Sequence, residues 1–343
     1  MKRTKKMYYL LVPMVTVFSI FSGCHKQEGV VIKLPSKGVL SNTEQYYTAP
    51  DCNNKKLLPK SLKIFPSDNA WNLDISQSPV DPLNTQIISK LNSFSIKADF
   101  GQGQWQGNPI GIPYSTVCGE EPMRTVIFRG NSYDNNYGHE SDPGPYPIPL
   151  DAPIEGNGNG DSHVIVVDRD NKKLYELYNA SVNNGQWEAS CGAIFDLNSN
   201  AMRPDGWTSA DGAGLPIFPG LVKYQEILWG EIKHPIRFTL QQPFIKSGTY
   251  IHPANHIITN ATGGGDTLPL GARIRLKQNY DISGFSPVNQ IILRAMKKYG
   301  LILADAGSNL FISGTPDARW DDGDLQKLNT VKGANFEVVK FNP

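Results

Sequence analysis

The sequence predicts a mainly β protein, an antiparallel β-sandwich or jelly-roll-like single domain with a few peripheral helices. Three observations point there. Runs rich in β-branched and aromatic residues alternate with turn-forming clusters. The 32 Gly and 25 Pro are spread along the whole chain, which favours short elements joined by turns. Alternating strand–helix–strand units, the mark of a parallel α/β sheet, are missing.

The clearest strand pair is HVIVVD at 163–168 and KLYELY at 173–178, two β-forming runs around the turn cluster RDNK. IRFTL (236–240) and ARIRLK (272–277) alternate apolar with polar residues, as half-buried strands do. LILA (301–304) and NLFIS (309–313) flank DAGS and read as a second hairpin, with Asp305 at its tip. Helices are expected at 84–91, 288–299 and 322–328. Pro287 suits the first turn of the second helix and Gly300 its stop. Asp321 or Asp322 is the expected N-cap of the third.

Upstream lies a different kind of segment. MKRTKKM carries four cations and no acid, the apolar run 8–21 follows, and Ser22-Gly23-Cys24 closes it. This is the pattern of an export signal. Its apolar core is shorter than the ~20 residues a spanning helix needs, and Pro13 interrupts it. FSGC resembles the lipobox of bacterial lipoproteins, although Phe21 stands where Leu is usual. The resemblance implies cleavage after residue 23 and lipidation of Cys24, whose thiolate can be alkylated and whose freed amine can be acylated. Several chains hold a protein far more firmly than one. Residues 24–57 then read as a lipidated tether and 58–343 as the single β-rich globular domain. The expected location is the bacterial cell envelope, at the outer membrane or cell surface. Three further cysteines, Cys52, Cys118 and Cys191, allow one disulfide with one thiol left over. Cys52 with Cys118 is the favoured pair.

The composition, 39% hydrophobic and 10% aromatic, is that of a globular protein. Of the formal charge of +1, four positive charges sit in the leader, leaving a mature chain near −3. That balance argues against a nucleic-acid partner. No CxxC, HExxH or GxSxG occurs, so no metal or cofactor and no serine-elbow nucleophile is expected. GNGNGD (156–161) lacks the Lys-Ser/Thr ending of a phosphate loop and runs into a strand, so it reads as a turn. DRDN (168–171) lacks the Gly and distal Glu of a calcium loop and reads as the hairpin turn. His252 and His256 share an i, i+4 spacing that Pro253 interrupts.

Chemistry is expected on the long polar loops. The stretch 130–162 is longer than compact domains usually need, and suggests a binding or lid role for His139, Glu140, Asp142 and Tyr146. The segment 203–237 mixes acids with aromatics and His234, the parts a glycan-cleaving site needs. Asp211, Glu231, His234 and Asp305 are the candidate catalytic groups. His163, Trp207, Trp229, Arg237 and Tyr146 are the candidate substrate contacts.

Taken together, ESDPGPYPIP, HVIVVDRDNKKLYELY, GAIFDLNSN, RPDGWTSADGAGLPIFPGL, GEIKHPIRFT and SGTPDARWDD resemble a family of uncharacterised secreted bacterial proteins. The resemblance spans most of the chain from about residue 62 and implies a single secreted domain. It carries no activity and no site residue. The functional expectation therefore rests on the residues. It is a lipid-anchored carbohydrate-active enzyme, a glycoside hydrolase or polysaccharide lyase, with polysaccharide as partner. The alternatives are a non-catalytic glycan-binding or a structural envelope lipoprotein.

Overall fold

A six-stranded sheet forms the centre of the computed structural model, which describes residues 58–130 and 136–340. Expectations for the export signal, Cys24, the tether and Cys52 concern residues outside these. Among the described residues no helix is long and apolar enough to cross a membrane.

The chain is mainly β, with few and peripheral helices. Across the six-stranded sheet the strands run Lys97–Asp99, Phe311–Ser313, Ile236–Leu240, Leu301–Ala306, Arg273–Leu276 and Phe336–Val338. A four-stranded sheet carries Cys191–Asp196, Lys173–Tyr178, Val164–Asp168 and Ser115–Val117. Both sheets mix parallel with antiparallel pairs.

The expected hairpin of 163–168 with 173–178 forms, Asp168 pairing with Lys173 at the turn. Both Asp170 and Asn171 donate their backbone N–H to Asp168 Oδ1, so this aspartate closes the turn. Ile165 and Val167 enter the main core, whereas Val164 and Val166 enter a second core with Tyr146, Ile148 and Trp187. A strand packed on both faces needs an unbroken apolar run, which VIVV supplies. In the partner strand Leu174 faces the main core, so by the two-residue period Glu176 must face it as well.

The second expected hairpin does not form. Strand Ile236–Leu240 inserts between Leu301–Ala306 and Phe311–Ser313, parallel to the first and antiparallel to the second. Sequence neighbours so close were expected to pair directly, but the apolar IRFTL strand takes the central place. Its register with Leu301–Ala306 also slips. Phe238 pairs with Leu303, then Thr239 with Asp305, leaving Ala304 as a bulge.

Helix Asn84–Leu91 forms as predicted. Helix Pro287–Lys298 is capped by Ser286, whose hydroxyl accepts from the Asn289 N–H, and the chain leaves it through Gly300 at φ 74°. The last helix is shorter than expected, Asp322–Leu325 continued by a 3-10 segment, and Asp321 is its cap. Cys118 is disulfide-bonded, and Cys191 is a buried free thiol.

The loop 130–162 is largely structural among its described residues. Tyr146 and Ile148 are fully buried. Tyr146 exchanges two backbone hydrogen bonds with Arg124, and its hydroxyl donates to the Asp142 carbonyl. The expectation that Tyr146 contacts substrate is therefore corrected: an aromatic among prolines is here a core residue. Asp142 pairs with Arg203 and accepts from the Ile194 N–H, while Glu140 accepts from the Thr208 N–H. Both acids pin loops together.

Candidate active site

Strand register places a row of polar side chains on one face of the six-stranded sheet. Asp99 lies opposite Ser313. Phe238 lies opposite Ile312, so Arg237 falls beside Ser313, and its Nη1 donates to the Ser313 hydroxyl at 2.7 Å. Asp305 joins this face only through the bulge. In a regular strand it would follow Leu303 to the opposite face; the extra residue turns it toward Arg237.

Arg237 is the hub. Its Nε and Nη2 donate to the two oxygens of Asp211 at 2.7 Å each, and Nη2 lies 3.5 Å from Asp305 Oδ2. Both members of the bidentate pair are buried, Asp211 completely. Burial opposes the guanidinium charge, but the adjoining carboxylates outweigh it and drive its pKa upward.

Asp211 sits in the loop TSADGAG. Ser209 orders that loop: its hydroxyl accepts from the Asp211 N–H and donates to the Leu215 carbonyl. The next residue, Gly212, donates its N–H to Asp305 Oδ2 at 3.0 Å. A Cβ at Gly212 would stand 2.3 Å from Asp305 Oδ1, so only glycine allows this approach. Burial, reinforced by the Asp211 charge, pushes the Asp305 carboxyl up to about 8, with Arg237 opposing. Both effects bias Asp305 toward its protonated form, although its side chain still reaches solvent.

The wall comes from the segment before strand Val164–Asp168. His163 is buried, with Nδ1 at 2.5 Å from Glu155 Oε2 and Nε2 at 2.9 Å from the Ala210 carbonyl. Both neighbours accept only, so both ring nitrogens donate and the ring is an imidazolium. Burial alone would lower its pKa; the Glu155 carboxylate prevails and pushes it up to about 9. For Glu155, burial is outweighed by His163, which holds the carboxyl below its ordinary value. The expected turn at 156–160 follows, with Gly156, Asn157, Gly158 and Gly160 at positive φ.

Asp99 is exposed, and its carboxylate has no hydrogen-bond partner among the described residues. Crowding by the protein around it, then the charge of Glu155, raises its pKa. Glu176 lies fully buried behind the site, accepting from the Ile217 and Phe218 N–H groups. Burial still pushes it up to about 7.

The structure thus unites Asp211, Asp305, Arg237 and His163, and adds Asp99, Glu155 and Glu176. It separates the remaining expected residues from them. Glu231 is exposed and pairs with Lys233 at 2.6 Å. His234 is buried, bonded through Nε2 to Glu226 and through Nδ1 to the Pro235 carbonyl. Both line another cleft, of about 650 Å³, together with Trp229. The single catalytic set of Asp211, Glu231, His234 and Asp305 is corrected accordingly: adjacency in sequence did not bring the second pair to the sheet face. Trp207 is half-buried, with the Arg203 guanidinium over its ring. His256 donates from Nδ1 to the Gly212 carbonyl at 2.8 Å and so braces the Asp211 loop.

Asp99 and Glu155 carried no motif that would have singled them out. Glu176 did leave a signal, an acid at an inward position of an apolar strand.

Compared with known proteins, the chain matches no family model, no curated protein and no solved structure.

Replacing Asp211 with Ala leaves the Arg237 charge buried without its bidentate partner. Chemical denaturation should show a loss of about 3–5 kcal/mol, against less than about 0.5 kcal/mol for Glu231→Ala at the exposed pair. Equal effects of the two would show that the ion pair does not hold the site.

Proposed function

We propose that this chain is a lipid-anchored glycoside hydrolase of the bacterial cell envelope, with Asp305 as its general acid. One contrast carries the reading: the Asp305 carboxyl is pushed up to about 8, while that of Glu155 in the same site is held below its ordinary value. Such divergence between neighbouring acids is how acid and base roles are divided at one pH.

In this reading Asp305 gives its proton to the glycosidic oxygen as the bond to the anomeric carbon breaks. Asp99, accessible and unpartnered, takes a proton from the water whose oxygen forms the new bond. Solvent then restores both groups. Asp99 and Asp305 stand on strands three apart, roughly 14 Å between backbones.

The same charges argue against a lyase. A lyase must neutralise a uronate carboxylate at the reacting sugar, and the two cations on the sheet face are already committed. Arg237 is held by Asp211 and His163 by Glu155. The expected substrate is a neutral or amino-sugar polysaccharide. A cleft of about 500 Å³ includes Ile154 and Gly156, on either side of Glu155, together with Tyr114, Lys223, Tyr224 and Arg319, whose guanidinium lies over the Tyr224 ring.

Reducing-end release across a polysaccharide panel tests this. Wild type should act on neutral or amino-sugar polymers, with activity falling as pH rises through about 8 and Asp305 loses its proton. Asp305→Asn should lower turnover by about 10²–10⁴-fold while the protein stays folded and still binds. Unsaturated products from a polyuronate, or full activity in D305N, would overturn the assignment.

The anchor is tested separately. Wild type should partition with the membrane fraction until detergent is added, and Cys24→Ser should appear in the soluble fraction. An unchanged distribution would contradict lipidation at Cys24.

A further inference from the structure

The 650 Å³ cleft is lined by Trp71, Phe218, Trp229 and Tyr299, and by Lys60, Lys63, Lys223 and Lys233. Its volume is typical of small-molecule sites. Its charge is one-sided, four ammonium groups facing only two carboxylates, Glu226 and Glu231. Glu231 is taken up by Lys233 at 2.6 Å, and Glu226 is shared between His234 at 2.9 Å and Lys223 at 3.8 Å. Lys60 and Lys63 are exposed and have no carboxylate partner among the described residues.

Lys223 makes this cleft more than a basic patch. Its side chain is only 5% exposed, and its ammonium lies 4.6 Å from the centre of the Phe218 ring. An ammonium carries three N–H donors. One reaches the Leu221 carbonyl at 2.8 Å, while the nearest carboxylate oxygen, on Glu226, is 3.8 Å away and beyond hydrogen-bond distance. The buried ammonium thus makes one hydrogen bond, with the Phe218 ring and the Glu226 carboxylate as its other neighbours. A buried ammonium with a single hydrogen bond gains from a further acceptor. An anionic group entering the cleft would supply one, and Trp229 lines the same cleft for a ring to pack against.

We propose that this cleft is a binding site for an acidic saccharide, its carboxylate or phosphate seated on Lys223, its ring against Trp229, with Lys60 and Lys63 at the mouth. It complements the sheet-face site, whose cations are committed and whose free charges are negative. Binding here is read directly and does not depend on the chain being a hydrolase.

Trp71 and Trp229 provide the readout. The full-length protein is titrated with digalacturonate, glucose 6-phosphate, maltose and inorganic phosphate, following tryptophan fluorescence. A saturable change with digalacturonate identifies a uronate site, and one with glucose 6-phosphate a sugar-phosphate site. Either supports the proposal, provided maltose and phosphate bind at least tenfold more weakly. Added salt should weaken the binding. Lys223→Met should weaken it roughly tenfold or more. The K60A/K63A variant, altered only at the surface, should weaken it measurably and serves as the deciding variant if K223M does not fold. Absence of saturation with both acidic sugars, binding of maltose or of phosphate alone with equal affinity, or unchanged affinity in K60A/K63A would overturn it.

Discussion

The buried ion pair between Asp211 and Arg237 is the contact on which the site depends. A guanidinium withdrawn from water is tolerated only when its charge and donors are met. Asp211 meets two of those donors and Ser313 a third. Asp305 is thereby left beside a pair that is already neutral overall. Had Arg237 faced Asp305 alone, it would have drawn that carboxyl into its ionised form. With Asp211 satisfying the arginine, the dominant influences on Asp305 are burial and the negative charge of Asp211, and both favour the protonated form.

This arrangement needs two backbone features that act together. The bulge at Ala304 turns Asp305 onto the face of Arg237. Gly212 lets the Asp211 loop close over that carboxyl and donate to it. The four-stranded sheet contributes from the other side, because residues leading into Val164–Asp168 bring Glu155 and His163 against the loop at Ala210. The site is therefore an assembly of sheet face, loop and neighbouring segment, with no single motif containing it.

Much of the framework was legible in the sequence. The apolar runs at 163–168, 173–178 and 236–240, and the capped helix after Ser286, carry their periodicities openly. Asp211, Asp305, Arg237 and His163 were individually visible as chemistry-bearing residues. Their union was not, because strand order and a one-residue bulge are set by long-range packing that local patterns do not encode. The same limit explains two misplacements. LILA and NLFIS look like a hairpin until a third strand claims the position between them. Glu231 and His234 lie close to Arg237 in the chain, yet the chain turns between them, and their side chains belong to the Trp229 cleft. Tyr146 shows the converse error, since a tyrosine in a Pro-rich polar loop is here a fully buried core residue.

The central claim is that Asp305 holds its proton at neutral pH because the Asp211–Arg237 pair surrounds it. A carbon-13 NMR titration of labelled aspartate carboxyls measures this directly, with the Asp305 resonance assigned by its loss in D305N. A midpoint near 8 is what this account predicts. A midpoint near 4, that of an ordinary solvated aspartate, would contradict it.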